Sequence, residues 1–207
     1  MTDPAPDNVK GLRSVLQFAW VYEAFQRSVG KNLLRQRFVA EHLQPEESSR
    51  ILDVGCGPGD LVPFVDSVDY IGYDISQRYI DAARAKYGDR ASFLCGHVEE
   101  LQSLEHSVDQ AVAIGVLHHV PDDTAFELLT AVKNSLKPGG RFVALEPYLY
   151  AGQHWIAREL IKRDRGQFVR EENEYTELCR AVFDTVDVKR DEGLLRVPYT
   201  LSAYTCS

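Results

Sequence analysis

The stretch that decides the fold of this chain is Arg50-Ile-Leu-Asp-Val-Gly-Cys-Gly-Pro-Gly-Asp60. Its first part, Ile51 to Val54, is mostly apolar and branched, which is typical of a buried strand. Its second part places glycines at alternating positions, Gly55, Gly57 and Gly59. Glycine allows positive φ and lets a ligand approach the main chain closely. The stretch therefore predicts a nucleotide-type site at the carboxyl end of a parallel strand.

The spacing of these glycines distinguishes between kinds of nucleotide site. A dinucleotide-binding turn has its third glycine three residues after the second. This sequence has Asp60 there, so a dehydrogenase is rejected. We expect Asp60 instead to cap the helix that follows, with Pro63 in its first turn. The pattern Asp-x-Gly-x-Gly-x-Gly, with its acid at Asp53, resembles motif I of the class I S-adenosylmethionine-dependent methyltransferases.

The second predicted strand, Tyr70-Ile-Gly-Tyr-Asp74, ends in an acid 19 residues after Gly55. A carboxylate at this point of an α/β nucleotide site accepts hydrogen bonds from the ribose hydroxyls. Asp74 is the residue expected to do so, and Ile75 is expected to pack against the adenine. The alternative is that Asp74 only caps the helix predicted over Ser76 to Tyr87.

Two later segments strengthen the resemblance. Val116-Leu-His-His-Val-Pro-Asp-Asp123 resembles motif IV of small-molecule methyltransferases, and Asp122 is expected to cap the helix after it. It follows an almost wholly apolar fourth strand, Asp109 to Gly115, as a central parallel strand should be. Lys137-Pro-Gly-Gly140 is the turn that this family uses before its fifth strand, predicted over Arg141 to Leu145.

The resemblance implies the fold and its parts. We predict an α/β, Rossmann-like, doubly wound sheet of seven mostly parallel strands, with an antiparallel C-terminal strand and an N-terminal helical cap. The last two strands are predicted over Phe183 to Val188 and Tyr199 to Cys206, and Gly30 is expected to divide the cap into two helices. The single domain, 1–207, then comprises a helical cap (1–44), a cofactor-binding core (45–147), a substrate-side insertion (146–181) and a terminal hairpin (182–207).

The resemblance also implies a set of residues around S-adenosylmethionine. The family usually has Asp at the position of His97, so a backbone contact to the adenine is expected there. Tyr22 is expected to close over the cofactor, or alternatively to pack the cap onto the core. The cofactor-binding set is Asp53, Gly55, Cys56, Gly57, Gly59, Asp74, Ile75, His97, Val98, Ile114, Gly115 and Tyr22.

A base for the reaction is predicted just past the fourth strand. His118 matches the catalytic histidine of plant-type O-methyltransferases, and an imidazole can accept a hydroxyl proton near neutral pH. His119 is the second candidate, and it should point away from His118 if the chain is still extended. Glu146 is an alternative base, the partner that orients an imidazole, or a cap of the next element. The histidine pair is alternatively only architectural.

No metal is predicted. Metal-dependent catechol-type members have acidic residues at matching positions, and the first of these is His118 here. The histidine pair and Glu146 would need adjacent residues to share one ion, which is seldom seen.

The insertion is expected to shape the acceptor pocket. A basic segment within it could bind a carboxylate or phosphate on the substrate. The alternative is a solvated helix face with local ion pairs. The candidate substrate-binding residues are Tyr148, Arg163, Arg165, Arg170 and Arg196.

Composition limits the class of protein. A net charge of -8 argues against a nucleic-acid substrate, which requires a broad basic face. No run of about 20 apolar residues predicts a membrane span, and the polar N-terminus lacks a signal-peptide pattern. The four cysteines are far apart and form no CxxC pair, so neither zinc nor disulfides are indicated. A cytoplasmic setting is expected.

These observations predict an enzyme that methylates a small molecule, most simply a hydroxyl of a sugar or secondary metabolite. The first rival is N- or C-methylation of a small molecule, which uses the same fold. The second is a non-catalytic cofactor-binding scaffold subunit. The sequence does not predict an oligomeric state.

Overall fold

A single seven-stranded sheet organises the chain in a computed structural model, which describes residues 30–163, 167–192 and 199–207. The strands are β1 (Arg50–Val54), β2 (Asp69–Asp74), β3 (Ser92–Cys95), β4 (Val108–Ile114), β5 (Leu136–Pro147), β6 (Val186–Glu192) and β7 (Thr200–Cys206). Their order is β3-β2-β1-β4-β5-β7-β6. All neighbours are parallel except β7, which is antiparallel to both β5 and β6. The predicted doubly wound fold is confirmed.

Helices cover both faces of this sheet. They are α1 (Lys31–Phe38), α2 (Gln77–Tyr87), α3 (Asp122–Ser135), α4 (Trp155–Arg163) and α5 (Glu172–Arg180). A π-helical turn, Val39–Leu43, continues α1. Within the described residues there are also three 3₁₀ segments: Val62–Phe64, Val98–Leu104 and Leu117–His119. In the described part of the chain, no helix has both the length and the apolar character that crossing a bilayer demands.

The core lies in two layers because side chains alternate across a strand. On β1, Leu52 and Val54 point to the face covered by α3 and α5, whereas Ile51 points to the face covered by α1 and α2. All three are buried. A strand buried on both faces needs apolar residues at nearly every position, which is why the β1 sequence was recognisable.

Helix α1 connects the N-terminal segment to the glycine turn. It begins directly after Gly30, whose φ of +97° no residue with a Cβ adopts easily. Phe38 and Leu43 are fully buried on the α1/α2 face. Arg35 donates a hydrogen bond to Asp60 at 2.9 Å, directly beside the glycine turn. The first part of the predicted cap, which includes Tyr22, lies outside the described residues.

Two predicted helix caps are wrong. Asp60 pairs with Arg35, and the segment after it forms only the short 3₁₀ turn Val62–Phe64, without a side-chain cap. Asp122 is the first residue of α3 rather than its cap, and its carboxylate accepts hydrogen bonds from Arg170. In both cases the carboxylate accepts hydrogen bonds from an arginine distant in sequence, instead of from the backbone N–H groups at the helix start.

Two predicted strand boundaries are also wrong. Strand β5 begins at Leu136 because Leu136 pairs with Val108 across a register shift, which places the Lys137–Gly140 segment inside the strand. Strand β6 runs from Val186 to Glu192, further along than predicted. Phe183 lies three residues before this strand, and its buried ring stacks on Phe142 with the ring centroids 5.8 Å apart.

Gly72 on β2 allows the side chains of Phe93 and Cys56 to pack directly against the backbone of the strand. A methyl group there would lie 2.7 Å from Cδ1 of Phe93 and 2.8 Å from Sγ of Cys56. We expect Gly72→Ala to lower the free energy of unfolding by about 1–3 kcal/mol, because the core would be overpacked. Urea unfolding measures this, and Phe93→Leu in the same chain should recover part of the loss. An unchanged unfolding midpoint in Gly72→Ala would contradict the packing described.

Candidate active site

The glycine turn has one side packed and one side open. Gly55, Gly57 and Gly59 all have positive φ, from +54° to +77°. A methyl at Gly55 would lie 2.6 Å from Cγ2 of Val116, and one at Gly59 would lie 2.9 Å from Cδ2 of Tyr87. A methyl at Gly57 would meet no atom within 4 Å. The outer glycines are thus required for packing, and Gly57 leaves space that a ligand can use.

Asp74 lies at the end of β2 beside this open side. Its Oδ2 accepts a hydrogen bond from the backbone N–H of Gly57 at 2.9 Å, and its Oδ1 accepts one from Ser76 at 2.8 Å. A carboxylate has about four lone-pair sites, so both oxygens can accept further bonds. The next residue, Ile75, is 71% exposed, which is unusual for an isoleucine next to a core strand. An acceptor group beside an uncovered apolar side chain fits the ribose and base of an adenosine.

Other residues of the predicted cofactor set support the turn from within. Asp53 is buried and accepts a hydrogen bond from the hydroxyl of Tyr70. Burial raises the pKa of the Asp53 carboxyl to about 7, although the Tyr70 hydrogen bond acts in the opposite direction. Cys56 is also buried, and burial raises the pKa of its thiol. Neither side chain is therefore exposed on the open side of the turn.

The other predicted cofactor residues within the described part of the chain lie at the same edge of the sheet. Ile114 ends β4, and Gly115 follows it with a φ of +66°. His97 is exposed just past β3, and Val98 begins the next 3₁₀ segment.

The Glu146 carboxylate joins the end of β5 to the histidine loop, residues 116–120. It is 0% exposed. Its Oε1 accepts hydrogen bonds from the backbone N–H groups of Val116 and Leu117, both at 2.8 Å. Its Oε2 accepts from His118 twice, from the backbone N–H at 3.3 Å and from the ring Nδ1 at 2.7 Å. These donors compensate for removing a charge from water.

The two histidines of the loop lie together. The loop turns into a 3₁₀ segment at Leu117–His119, so the expectation that the two rings point apart is wrong. Their centroids are 4.0 Å apart, with His118 buried and His119 exposed. His118 also lies against the end of β4, since a methyl at Gly115 would be 3.3 Å from its Cε1. The structure thus places His118 beside Gly115, a residue of the predicted cofactor set.

Arg170 does not bind substrate as predicted, because its guanidinium is occupied within the chain. It is 7% exposed. Its Nε and one terminal nitrogen donate to Oδ1 of Asp122, at 2.8 and 2.6 Å. The terminal nitrogens also donate to the carbonyls of Leu117, Val120 and Phe168, at 2.8, 2.9 and 3.1 Å. These are five contacts for five N–H groups, so none remains for an anion.

The other candidate substrate residues are placed as follows. Tyr148 is buried, and its ring stacks on that of Tyr150, with the ring centroids 5.6 Å apart. Arg163 ends α4, but its side chain lies outside the described residues, as do Arg165 and Arg196 as whole residues.

One described group has metal-ligand atoms close together, and it lies away from the histidine loop. Glu41, His42 and Asp191 each place one such atom within 4.8 Å of the others. His42 is bonded to Asp191 and packs against Phe38 on the α1/α2 face. Glu146 lies on the opposite face of the sheet, the face covered by α3 and α5.

Sequence reasoning missed the residues that support the site. An isolated glycine within a strand pattern indicates close approach of a neighbour, and Gly72 carried that signal. By contrast, no sequence pattern marks Phe168, whose backbone N–H donates to the carbonyl of His118 at 3.0 Å.

Comparison with known proteins agrees with this geometry. Residues 51–140 match a family described as a methyltransferase domain. The chain is 31% identical over 160 residues to a ubiquinone biosynthesis O-methyltransferase of Cereibacter sphaeroides, covering 70% of this chain and 64% of the relative. It is 31% identical over 124 residues to O-methyltransferase rstn1 of Aspergillus nomiae, covering 56% of this chain and 54% of the relative. It is 29% identical over 139 residues to 24-methylenesterol C-methyltransferase 2 of Oryza sativa, covering 63% and 36%.

The chain therefore spans less than two thirds of the length of these relatives. A solved TehB-like methyltransferase of Corynebacterium glutamicum has the same fold, with a TM-score of 0.65 at 18% identity, covering 92% of this chain and 96% of the other. Residues 51–140 are thus similar to a methyltransferase domain, and the fold around them is that of the class I methyltransferases. S-adenosylmethionine is the cofactor of this class, and the open Gly57, Asp74 and Ile75 fit it.

Gly57→Ala tests the open side of the glycine turn. The new methyl would occupy free space, and we expect the affinity for S-adenosylmethionine to fall at least about tenfold, equivalent to about 1.4 kcal/mol. Positive φ should also cost about 1–2 kcal/mol of stability. Gly139→Ala is the matched control, because Gly139 has a φ of +80°, has no neighbour within 4 Å of the new methyl, and lies in the Lys137–Gly140 segment far from the turn. Calorimetric titration should show equal affinity for Gly139→Ala and wild type; an equal loss in both variants would contradict the assignment.

Asp53→Asn tests the buried carboxyl. An unfolded aspartate ionises near pH 3.9, whereas folded Asp53 keeps its proton to about pH 7. The unfolded state then binds fewer protons between pH 4 and 7, so the free energy of unfolding should fall as the pH rises through this window. Over about 3 pH units this amounts to at most about 4 kcal/mol.

Asparagine does not ionise and can still accept the Tyr70 hydrogen bond, so Asp53→Asn should remove that fall. Urea unfolding at pH 4.5 and 7.5 measures it, with the exposed Asp89→Asn as control. If wild type and Asp53→Asn lose stability equally between these pH values, Asp53 is ionised in the folded protein.

Proposed function

We propose that this chain transfers a methyl group from S-adenosylmethionine to a hydroxyl oxygen of a small molecule, such as a sugar or a secondary metabolite. The observation that carries the proposal is the 2.7 Å contact between Nδ1 of His118 and the buried carboxylate of Glu146. A hydroxyl needs its proton removed as the new bond forms, and a carboxylate-held imidazole is suited to that task. Glu146 thus has the orienting role rather than that of the base.

The reaction asks little of the protein beyond alignment and proton removal. The cofactor, when bound, would supply an electrophilic methyl group on a sulfonium: the acceptor oxygen would bond to the methyl carbon in line as the carbon–sulfur bond breaks and a neutral thioether leaves. Gly57, Asp74 and Ile75 would hold its adenosine, and the main chain of His97 and Val98 would contact the adenine. Ile114 and Gly115 would lie between that group and His118.

In this proposal, Glu146 determines which nitrogen of His118 carries the proton. A carboxylate accepts a proton donor, so Nδ1 carries the hydrogen and Nε2 presents its lone pair to the acceptor hydroxyl. As the proton transfers, the imidazole becomes cationic, and the adjacent carboxylate stabilises that charge. His119, with its ring centroid 4.0 Å from that of His118, is the second group able to assist.

Two of the three relatives above are named O-methyltransferases, which supports oxygen as the acceptor atom. The similarity to a sterol C-methyltransferase favours transfer to carbon as a second candidate. Transfer to an amine nitrogen, which needs less assistance from a base, is a third. We also propose that the acceptor carries an anionic group, a carboxylate or a phosphate, which Arg163, Arg165 and Arg196 would bind.

Labelled S-adenosylmethionine, offered with a panel of sugars and phenolic hydroxyl compounds, tests the proposal on wild type and His118→Ala. We expect label on a hydroxyl acceptor, and a kcat lower by about 10²–10⁴ in His118→Ala because the base is lost. The affinity for the cofactor should stay the same in both. His106→Ala is the control, since His106 has a side chain that is 65% exposed and contacts the Leu136 carbonyl away from the site.

Each other outcome has a definite meaning. Equal turnover by wild type and His118→Ala would exclude His118 as the base and favour transfer to nitrogen or carbon. Tight cofactor binding, lost in Asp74→Ala but with no transfer to any acceptor, would favour a cofactor-binding scaffold. No cofactor binding by the wild type would exclude the methyl-transfer proposal.

A further inference from the structure

The histidine loop, residues 116–120, is held between a buried anion and a buried cation. On one side, the Glu146 carboxylate accepts three backbone N–H groups of the loop. On the other side, the Arg170 guanidinium donates to the carbonyls of Leu117 and Val120. The carbonyl of His118, between them, accepts from the backbone N–H of Phe168 at 3.0 Å. Main-chain groups on both edges of the loop are thus bonded to other parts of the chain.

The geometry at Arg170 requires an arginine. A guanidinium presents five N–H groups in a rigid planar fork, whereas a lysine ammonium presents a single point charge with three donors. Here the fork reaches one carboxylate and three carbonyls. Its carboxylate partner, Asp122, is 76% exposed, so the pair is buried on the arginine side and hydrated on the aspartate side. Because Asp122 stays hydrated, forming this ion pair does not require both charges to lose their water, and the desolvation penalty is smaller than for a fully buried pair.

Arg170 also links the insertion to the loop. Its backbone carbonyl accepts from the N–H of Leu149 at 3.2 Å, just past β5, and its backbone N–H contacts the hydroxyl of Tyr175 in α5 at 3.4 Å. The guanidinium carbon lies 5.5 Å from the centroid of the Tyr175 ring. Arg170 is therefore fixed by the end of β5 and by α5 before its side chain reaches the loop.

We propose that Arg170 is a positioning residue for the reaction: by bonding Leu117, Val120 and Asp122, it holds the loop so that the His118 ring stays against Glu146. This inference rests on the proposed function, in which His118 is the base. Without the guanidinium, the Arg170 bonds to the carbonyls of Leu117 and Val120 are lost, while Glu146 and the backbone N–H of Phe168 still hold the loop to other parts of the chain. The His118 ring could then move away from Glu146, and its Nδ1 would no longer bond to that carboxylate alone.

Three variants separate this role from general stabilisation. Arg170→Gln removes the charge and most donors, Arg170→Lys keeps the charge without the fork, and Asp122→Asn changes only the exposed partner. Arg180→Ala is the control, because Arg180 lies exposed at the end of α5. Asp122→Asn leaves the core intact, so it keeps the proposal testable if Arg170→Gln fails to fold.

The first readout needs no acceptor. Nitrogen-15 NMR of histidine-labelled protein reports the tautomer of each imidazole, and His118→Gln identifies the signal of His118. We expect wild type and Arg180→Ala to show His118 fixed with its proton on Nδ1. Arg170→Gln should show averaging between the two tautomers, and Arg170→Lys and Asp122→Asn should lie between these limits.

The second readout is kinetic, with an acceptor found by the labelled-cofactor screen. We expect Arg170→Gln to lower kcat by about 10–100-fold, because a small misplacement of a reacting group has an effect of that size. The affinity for S-adenosylmethionine should change less than twofold, and Arg170→Lys should recover part of the rate. An unchanged His118 tautomer and unchanged kcat in a folded Arg170→Gln would overturn the proposal.

The two proposals fail in different ways. If the wild type methylates no acceptor, the NMR comparison still decides whether Arg170 positions His118. If Arg170→Gln lowers kcat and cofactor affinity together while the His118 signal stays fixed, Arg170 supports the fold generally and the positioning role is wrong.

Discussion

A carboxylate without access to water is the constraint on which the histidine loop depends. An isolated ionised group at the depth of Glu146 would be unfavourable by several kcal/mol. The chain compensates with three backbone N–H groups and one imidazole, all from consecutive residues of one loop. The dependence is mutual, because N–H groups in a tight turn next to a core also require an acceptor. The end of β5 and the loop after β4 therefore form as one unit.

The crevice of the sheet brings the two halves of the site together. Strand β1 pairs with β2 on one side and with β4 on the other, so the chain changes direction across the sheet at this point. Ligands of open α/β sheets bind at such a position. The half beside β2 holds the glycine turn and Asp74, and the half beside β4 holds His118. The first is open to a ligand, and the second is built from buried ion pairs and hydrogen bonds.

These halves differ in how well a sequence predicts them. The glycine turn, the strand before it and Asp74 lie within 25 residues, and each follows from a local backbone requirement. The seven mostly parallel strands and the antiparallel C-terminal strand were implied by the family resemblance that this pattern carries. The roles of Asp122 and Arg170 did not, because they contact each other across 48 residues. The orientation of His118 and His119 failed for a related reason, since the acceptor that folds their loop into a 3₁₀ turn lies on another strand.

Two aspartates and one arginine have roles other than those predicted from local rules. Local rules placed Asp60 and Asp122 at helix caps and Arg170 in a substrate pocket, yet each is paired with a distant partner of opposite charge. A carboxylate at a helix start contributes about 1 kcal/mol, and a well-aligned guanidinium pair offers a stronger, charge-assisted bond. Where a carboxylate can reach both a helix start and a guanidinium, it pairs with the guanidinium. The sequence does not show which arginine, distant along the chain, lies near it in the fold.

The buried cysteine of the glycine turn has a consequence for the chemistry of this protein in an oxidising or alkylating environment. Thiolates, not thiols, react with peroxides, disulfides and iodoacetamide. Cys56 is shielded by the core next to Gly72 and Phe93, and burial raises the pKa of its thiol, so the reactive form is scarce. A sulfur sits in the centre of the cofactor turn, yet such reagents would reach it only after the turn itself had opened.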